Sequence, residues 1–295
     1  MLNNLHFFGT SHTYGGGFEF HCKPKVRQCY GRFDIPKNEN SFSYVGILDD
    51  MLDSNFKIHN HSKCGYGNEL LYRKVFEIIE AKHFNKETDI LFLEFSDVGR
   101  KELWNNELND YVIINYDFQD SNNFSHASTY WYDSKEIENF LNKNRDFYKN
   151  FIGTTLNLVE QVKQVQRNCI LLVNFLQKQN IKFYITNGFP IIKRTQEKLV
   201  DFTSNLIEYE FLDKKGKLIK GNHFVQMTEP HYHITQETDG YYKDFHQGLF
   251  VNKIVAKTIY NRLVDDKILD SEKQKIDFGE WELIRKKTSE GIRLI

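Results

Sequence analysis

Apolar and polar positions follow two rhythms along this chain, and the rhythm changes repeatedly. Short runs that read as strands occur at residues 5–9, 56–60, 88–95 and 181–186. The run Thr88-Asp89-Ile90-Leu91-Phe92-Leu93-Glu94-Phe95 is the most continuous, which predicts a central parallel strand covered on both faces. Spacings of three and four residues mark helices. Tyr44, Ile47, Leu48 and Met51 place one within 41–54, with Ser41 or Ser43 as its cap. Leu70, Leu71, Val75, Ile78, Ile79 and Ala81 place a second over 69–82. Residues 135–180 read as largely helical, with a stripe of Leu156, Val159, Val162, Val165, Cys169, Leu172, Val173 and Leu176. Further helices are predicted over 193–207 and 249–263, and a hairpin over 209–225.

Strands separated by helices predict an α/β protein with a mostly parallel sheet and crossover connections. Two stretches break the rhythm. Residues 14–45 read as a long loop. Residues 104–135, rich in Asn, Asp, Ser and Tyr and including Trp131, read as the core of an insertion spanning about 104–150 beside the active edge. One domain is expected over 1–264, followed by a charged extension, 265–295, tied down by Trp281, Leu283 and Ile284.

Composition narrows the function. The formal net charge is −1, from 39 Lys and Arg against 40 Asp and Glu, so no global basic field favours nucleic acid. No stretch of about 18 apolar residues occurs, so no membrane partner is expected. The N-terminal residues carry no secretory pattern, which predicts a cytoplasmic or virion-associated protein. Four scattered cysteines, Cys22, Cys29, Cys64 and Cys169, read as reduced thiols rather than a Cys22–Cys29 bridge.

Candidate chemistry lies at the two ends. After the first strand comes Gly9-Thr10-Ser11-His12-Thr13-Tyr14-Gly15, a small hydroxyl residue in a turn between glycines. Such a turn at the carboxyl edge of a sheet exposes a side chain where open α/β folds place their chemistry. Near the other end, Asp244-Phe245-His246 forms a loop ahead of the last helix. A Ser hydroxyl is a weak nucleophile that needs a base to take its proton and a third group to orient that base.

Together these blocks resemble the SGNH (GDSL-like) hydrolase family, whose first block is Gly-Asp-Ser-Leu-Thr-x-Gly and whose last is Asp-x-His-Pro-Ser. The resemblance implies a three-layer, doubly wound flavodoxin-like fold with loop insertions. It also implies a serine ester hydrolase with Ser11 as nucleophile, His246 as base and Asp244 as its orienter, acting on a small-molecule or carbohydrate ester. No cofactor or metal is implied. The family's oxyanion hole takes an N–H from a Gly in the loop after the second strand, matched here by Gly65 first and Gly67 second. It takes an Asn from Gly-x-Asn-Asp after the third strand.

The chain departs from that pattern in three places, one being Gln247-Gly248 where the last block has Pro-Ser. Thr10 stands for the Asp of the first block, and Glu94-Phe95-Ser96-Asp97 stands for Gly-x-Asn-Asp. Ser96 occupies the Asn position, and a lost oxyanion donor typically costs 10²–10³ in turnover, roughly. Either Ser96 substitutes, or Asn68 reaches in from the neighbouring loop, or the site has lapsed. The second function class is therefore a non-catalytic relative used as a binding or virion structural module. A third, a metal-dependent phosphoesterase, rests on His231, His233, His246 and Asp244.

Overall fold

The computed structural model describes residues 3–10, 13, 43–52, 54–62, 66–96, 98–107, 109–116, 124–126, 142–186, 203–212, 217–221, 232–237, 240–247 and 249–276. In chain order its elements are β1 (Asn3–Phe8), α1 (Tyr44–Met51), β2 (Phe56–Asn60), α2 (Asn68–Glu80), β3 (Asp89–Leu93), β4 (Arg100–Asn105), β5 (Asp110–Tyr116), β6 (Phe124–His126), α3 (Arg145–Thr155), α4 (Leu158–Lys178), β7 (Lys182–Ile185), β8 (Tyr209–Leu212), β9 (Leu218–Gly221), β10 (Tyr232–Glu237), β11 (Gly240–Gln247) and α5 (Leu249–Asp265).

The protein is a mixed α/β structure organised on a parallel sheet of order β2-β1-β3-β7. Strand alternation sends successive side chains to opposite faces, and both faces are apolar. On one, Leu5, Phe7, Ile90, Phe92 and Tyr184 pack with Tyr44, Val45 and Leu48 of α1 and with Val251, Val255, Ile259 and Leu263 of α5. On the other, Phe8, Leu91, Leu93, Phe183 and Ile185 pack with Leu71 and Val75 of α2 and with Cys169, Leu172, Val173 and Leu176 of α4. Each such buried side chain contributes about 1.5–3 kcal/mol of transfer free energy, which fixes both strand order and register.

Local chemistry sets the helix ends. The Ser43 hydroxyl accepts from the Gly46 N–H at 3.1 Å and starts α1. The long helical reading of 135–180 divides in two, because Asn157 leaves the helix and its side chain accepts from the N–H groups of Val159 and Glu160, capping α4. Asn180 then takes a φ of 54°, a left-handed conformation that Asn tolerates, and α4 has ended.

Three expectations need correction. Residues 104–135 were expected to lack regular structure, yet β4, β5 and β6 form an antiparallel sheet with Val112 and Ile114 buried. Ion pairs from α2 hold it: Lys101 to Glu69, and Arg73 to Glu102 at 2.7 Å. The helix expected over 193–207 is, in its described part, a 3-10 turn at Thr203–Asn205 followed by Leu206 bridging Ile185 in parallel. The Asp244–His246 loop is instead part of strand β11, paired antiparallel with β10. The reason is visible in Asp239-Gly240, a hairpin turn signal, between two aromatic-rich runs of strand-forming residues.

The hairpin of β8 and β9 and the helix α5 form where the pattern put them. Beyond α5, Leu269 is buried in the first core, and the Tyr260 hydroxyl bonds to Ser271 at 2.7 Å. Trp281, Leu283 and Ile284 lie outside the described residues. Among the described residues, no helix is long and apolar enough to cross a membrane.

Candidate active site

Ser11 and Gly65 lie outside the described residues, while Thr10, Thr13 and Tyr66 are described. Thr10 and Thr13 flank Ser11, and both are fully buried at the carboxyl end of β1. Gly67, the second candidate for the oxyanion glycine, is the residue ahead of α2. A Cβ there would lie 3.1 Å from the Cβ of Arg100 and 3.2 Å from its carbonyl oxygen, so this loop packs closely on β4.

A carboxyl group occupies the middle of the edge. Glu94 follows β3, its backbone N–H donates to the Phe8 carbonyl at 2.8 Å, and its side chain has no exposure to solvent. The hydroxyls of Thr10 and Thr13 both donate to its carboxylate oxygens. Thr13 also meets the Tyr44 hydroxyl at 2.6 Å, and its carbonyl accepts from the Asn60 amide at 3.4 Å. Thr13 is thus held by Asn60 of β2, by Glu94 just after β3 and by Tyr44 of α1 together. Tyr44 is held in turn, since its N–H donates to the Asn252 side chain of α5 at 2.8 Å. Burial pushes the Glu94 carboxyl above its usual range, against the opposing pull of the Thr10 and Thr13 hydroxyls, the Thr10 N–H and the Arg100 charge.

Two predicted oxyanion residues come together. The Asn68 amide donates to the Ser96 carbonyl at 2.9 Å, and its oxygen accepts from the Ser96 N–H at 2.8 Å. Both residues are buried. The bidentate clamp fixes the Ser96 backbone, while the Ser96 hydroxyl has no hydrogen-bond partner among the described residues. A buried hydroxyl without a partner carries a desolvation cost of about 1–3 kcal/mol. Ser96 follows β3, the strand paired with the β1 that leads to Ser11.

Asp244 and His246 occupy β11, with Asp244 opposite His233 in the backbone register. Their side chains, and that of His233, lie outside the described residues, as does His231. Among the described residues, no group of three His, Cys, Asp or Glu side chains is arranged to hold a metal ion.

The sequence reading missed Glu94, Thr10, Thr13 and Tyr44 as one cluster. A signal was present: a charged residue interrupts the most continuous apolar run in the chain, and a carboxylate is rarely fully buried without partners. The reading also missed a stack of His6, His59 and His61 across β1 and β2. No local pattern reveals that stack, because the three residues meet only through strand register.

The chain is similar to one solved structure, a member of the lipolytic G-D-S-L family from Veillonella parvula, at 12% identity and a TM-score of 0.30, covering 87% of this chain and 96% of that one. A likeness of that degree carries no inference here. No protein-family model matches the chain, and no curated protein matches it.

Proposed function

We propose that the protein is a serine ester hydrolase of the SGNH type, acting on small-molecule or acetylated carbohydrate esters. In this reading the parallel sheet is the centre of a three-layer, doubly wound domain spanning 1–264. Ser11 attacks the ester carbonyl, His246 takes its proton and later delivers it to the leaving alcohol, and Asp244 orients the imidazole. The tetrahedral oxyanion is stabilised by the N–H groups of Ser11 and Gly65 and by the Ser96 hydroxyl. Water then releases the acid by the same steps in reverse.

The observation that carries the reading is the Ser96 hydroxyl, buried and without a partner among the described residues, in the segment that follows β3, the strand paired with the β1 that leads to Ser11. A donor held ready for a charge that exists only during reaction has this arrangement. Asn68 stays the alternative donor, since its amide has two N–H groups and gives one to the Ser96 carbonyl. A second reading rests on the same position: Ser in place of the family's Asn suits a relative that binds esters or glycans without turning them over.

Hydrolysis of a short-chain aryl acetate, with covalent labelling by a fluorophosphonate, separates the two. The hydrolase reading expects labelling of the wild type at Ser11 and a loss of at least about 10³-fold in kcat for Ser11→Ala. Turnover that survives Ser11→Ala, or a label on another residue, rejects it. A folded wild type with neither turnover nor label supports the binding module.

A further inference from the structure

We infer that Glu94 is a positioning residue for the proposed nucleophile, holding Thr10 and Thr13, between which Ser11 lies in the chain. The inference rests on the ester-hydrolase reading above and extends it to a residue outside the triad and the oxyanion hole.

Ser11 sits within the segment 10–13, and both ends of that segment donate hydroxyl hydrogen bonds to the one carboxyl group. The backbone before it lies directly on that group. A Cβ added at Gly9 would come within 2.6 Å of the Glu94 Oε2 and 2.8 Å of its Cβ, so only glycine permits this approach. The outer side of Thr13 is held by Tyr44, which completes a chain from the Tyr44 hydroxyl through Thr13 to Glu94. The Thr13 hydroxyl has one proton, so when it donates to Glu94 it accepts from Tyr44.

A purely structural strand gains nothing from a carboxyl here. Leu91, Phe92, Leu93 and Phe95 around Glu94 are all buried and apolar, and an apolar residue in its place avoids the desolvation cost. What the carboxyl adds is direction. Two charge-assisted or carboxylic hydrogen bonds fix the ends of a short turn more tightly than packing does. A nucleophile misplaced by about 1 Å can lose 10²-fold in rate, so that direction bears on catalysis.

The test uses the full-length chain and reads three quantities: kcat and KM on an aryl acetate, the rate of fluorophosphonate labelling at Ser11, and the thermal midpoint. The variants are Glu94→Gln, Thr10→Val and Thr10→Ser. Thr10→Val keeps the volume and removes one hydroxyl, so it remains informative if Glu94→Gln does not fold. Positioning expects kcat and labelling rate to fall about tenfold or more in Thr10→Val and in folded Glu94→Gln, with KM changed by no more than about twofold. Thr10→Ser, which restores the donor, is expected to recover kcat to within about threefold of wild type. The double variant is expected to lose no more than the worse single one, since both cut the same contact. Folded Thr10→Val that labels and turns over at the wild-type rate overturns the inference while leaving the hydrolase reading intact. A wild type without Ser11-dependent label or turnover overturns both.

Discussion

Two polar networks lie on the same parallel sheet, one part-buried and one buried, and they differ in what they leave unfinished. One crosses the strands: Asn4 donates to Asp89 at 2.7 Å, Asp89 meets His6 at 3.4 Å, His6 meets His61 at 3.1 Å, and His59 pairs with Asn4 at 3.2 Å. Its rings stack, with His6 and His59 centroids 4.8 Å apart. The other gathers at the carboxyl edge: Thr10 and Thr13 on Glu94, and Asn68 on Ser96, with the Ser96 hydroxyl left over. The first network pairs within itself and serves to hold three strands in register. The second holds Thr10 and Thr13 on one carboxyl and the Ser96 backbone on one amide, and leaves the Ser96 hydroxyl without a partner among the described residues. A buried group without a partner is costly in a structural network and useful in a reactive one. Under the proposed hydrolase reading, the contrast leaves register to the histidines and chemistry to the edge.

The sharpest break of that assignment is Ser96→Ala. At the edge, the change removes a hydroxyl that has no hydrogen-bond partner among the described residues. Folding stability is expected to rise by about 1 kcal/mol, because the desolvation cost of the unpaired hydroxyl is relieved. Turnover is expected to fall roughly 10²–10³-fold, the usual cost of one oxyanion donor. Steady-state kinetics with a melting curve check both halves. Unchanged kcat would make the leftover hydroxyl a packing accident and reduce the edge to the same structural role as the histidines.

Asn68→Ala comes next and separates brace from donor. It leaves the Ser96 N–H and carbonyl, both bonded to Asn68, without those partners in a buried site. Each unsatisfied group costs about 1–3 kcal/mol, so a stability loss of about 3 kcal/mol is expected in urea titration. Activity is expected to fall as well, because the Ser96 hydroxyl loses its support. A variant that loses activity but no stability would move the donor role from Ser96 to Asn68.

The parallel sheet and its helices were legible from spacing, because each is repeated locally and covered on a known face. The run around Leu91 and Phe92 read correctly as a strand buried on both sides. The strands β4 to β6 were not legible, since they draw their order from pairing with each other and from ion pairs to α2 rather than from long apolar runs. At the edge, Ser96 and Asn68 were named one by one, yet their bidentate bond follows from the juxtaposition of α2 and the end of β3. Glu94 was passed over because its partners, Thr10 and Thr13, are more than eighty positions away in the chain. Polar networks are long-range objects, and a single sequence displays mainly short-range ones.

Acid sharpens the comparison from the other side. Burial, and then repulsion from His6, His59, Lys74 and His83, pushes the His61 imidazole down to about 4. Burial also lowers His6 and His59, while Asp89 pulls both the other way and Lys57 adds to the lowering of His59. In the unfolded chain these rings titrate near 6.5, roughly. Between the two values the unfolded chain binds protons that the folded chain refuses, so stability is full above about pH 6.5 and falls as pH drops toward 4. For His61, after discounting for its solvent-facing side, the expected loss is about 2 kcal/mol, or roughly 4–8 °C in Tm. Asp89 acts in a lower window: burial opposes its ionisation, but bonds from Asn4 and the Asn85 N–H hold it below its usual range, so its share is lost only below about pH 4. His59→Phe tests the network with the smallest change. The ring still stacks on His6, the bond to Asn4 is lost, and one source of repulsion on His6 and His61 disappears. At pH 7 the cost is expected to be about 0.5 kcal/mol, with kcat as in wild type, and the acid-induced drop in Tm is expected to shrink. A full-sized drop would place the pH dependence outside the histidine stack, and a lost kcat would join that stack to the site it is contrasted with.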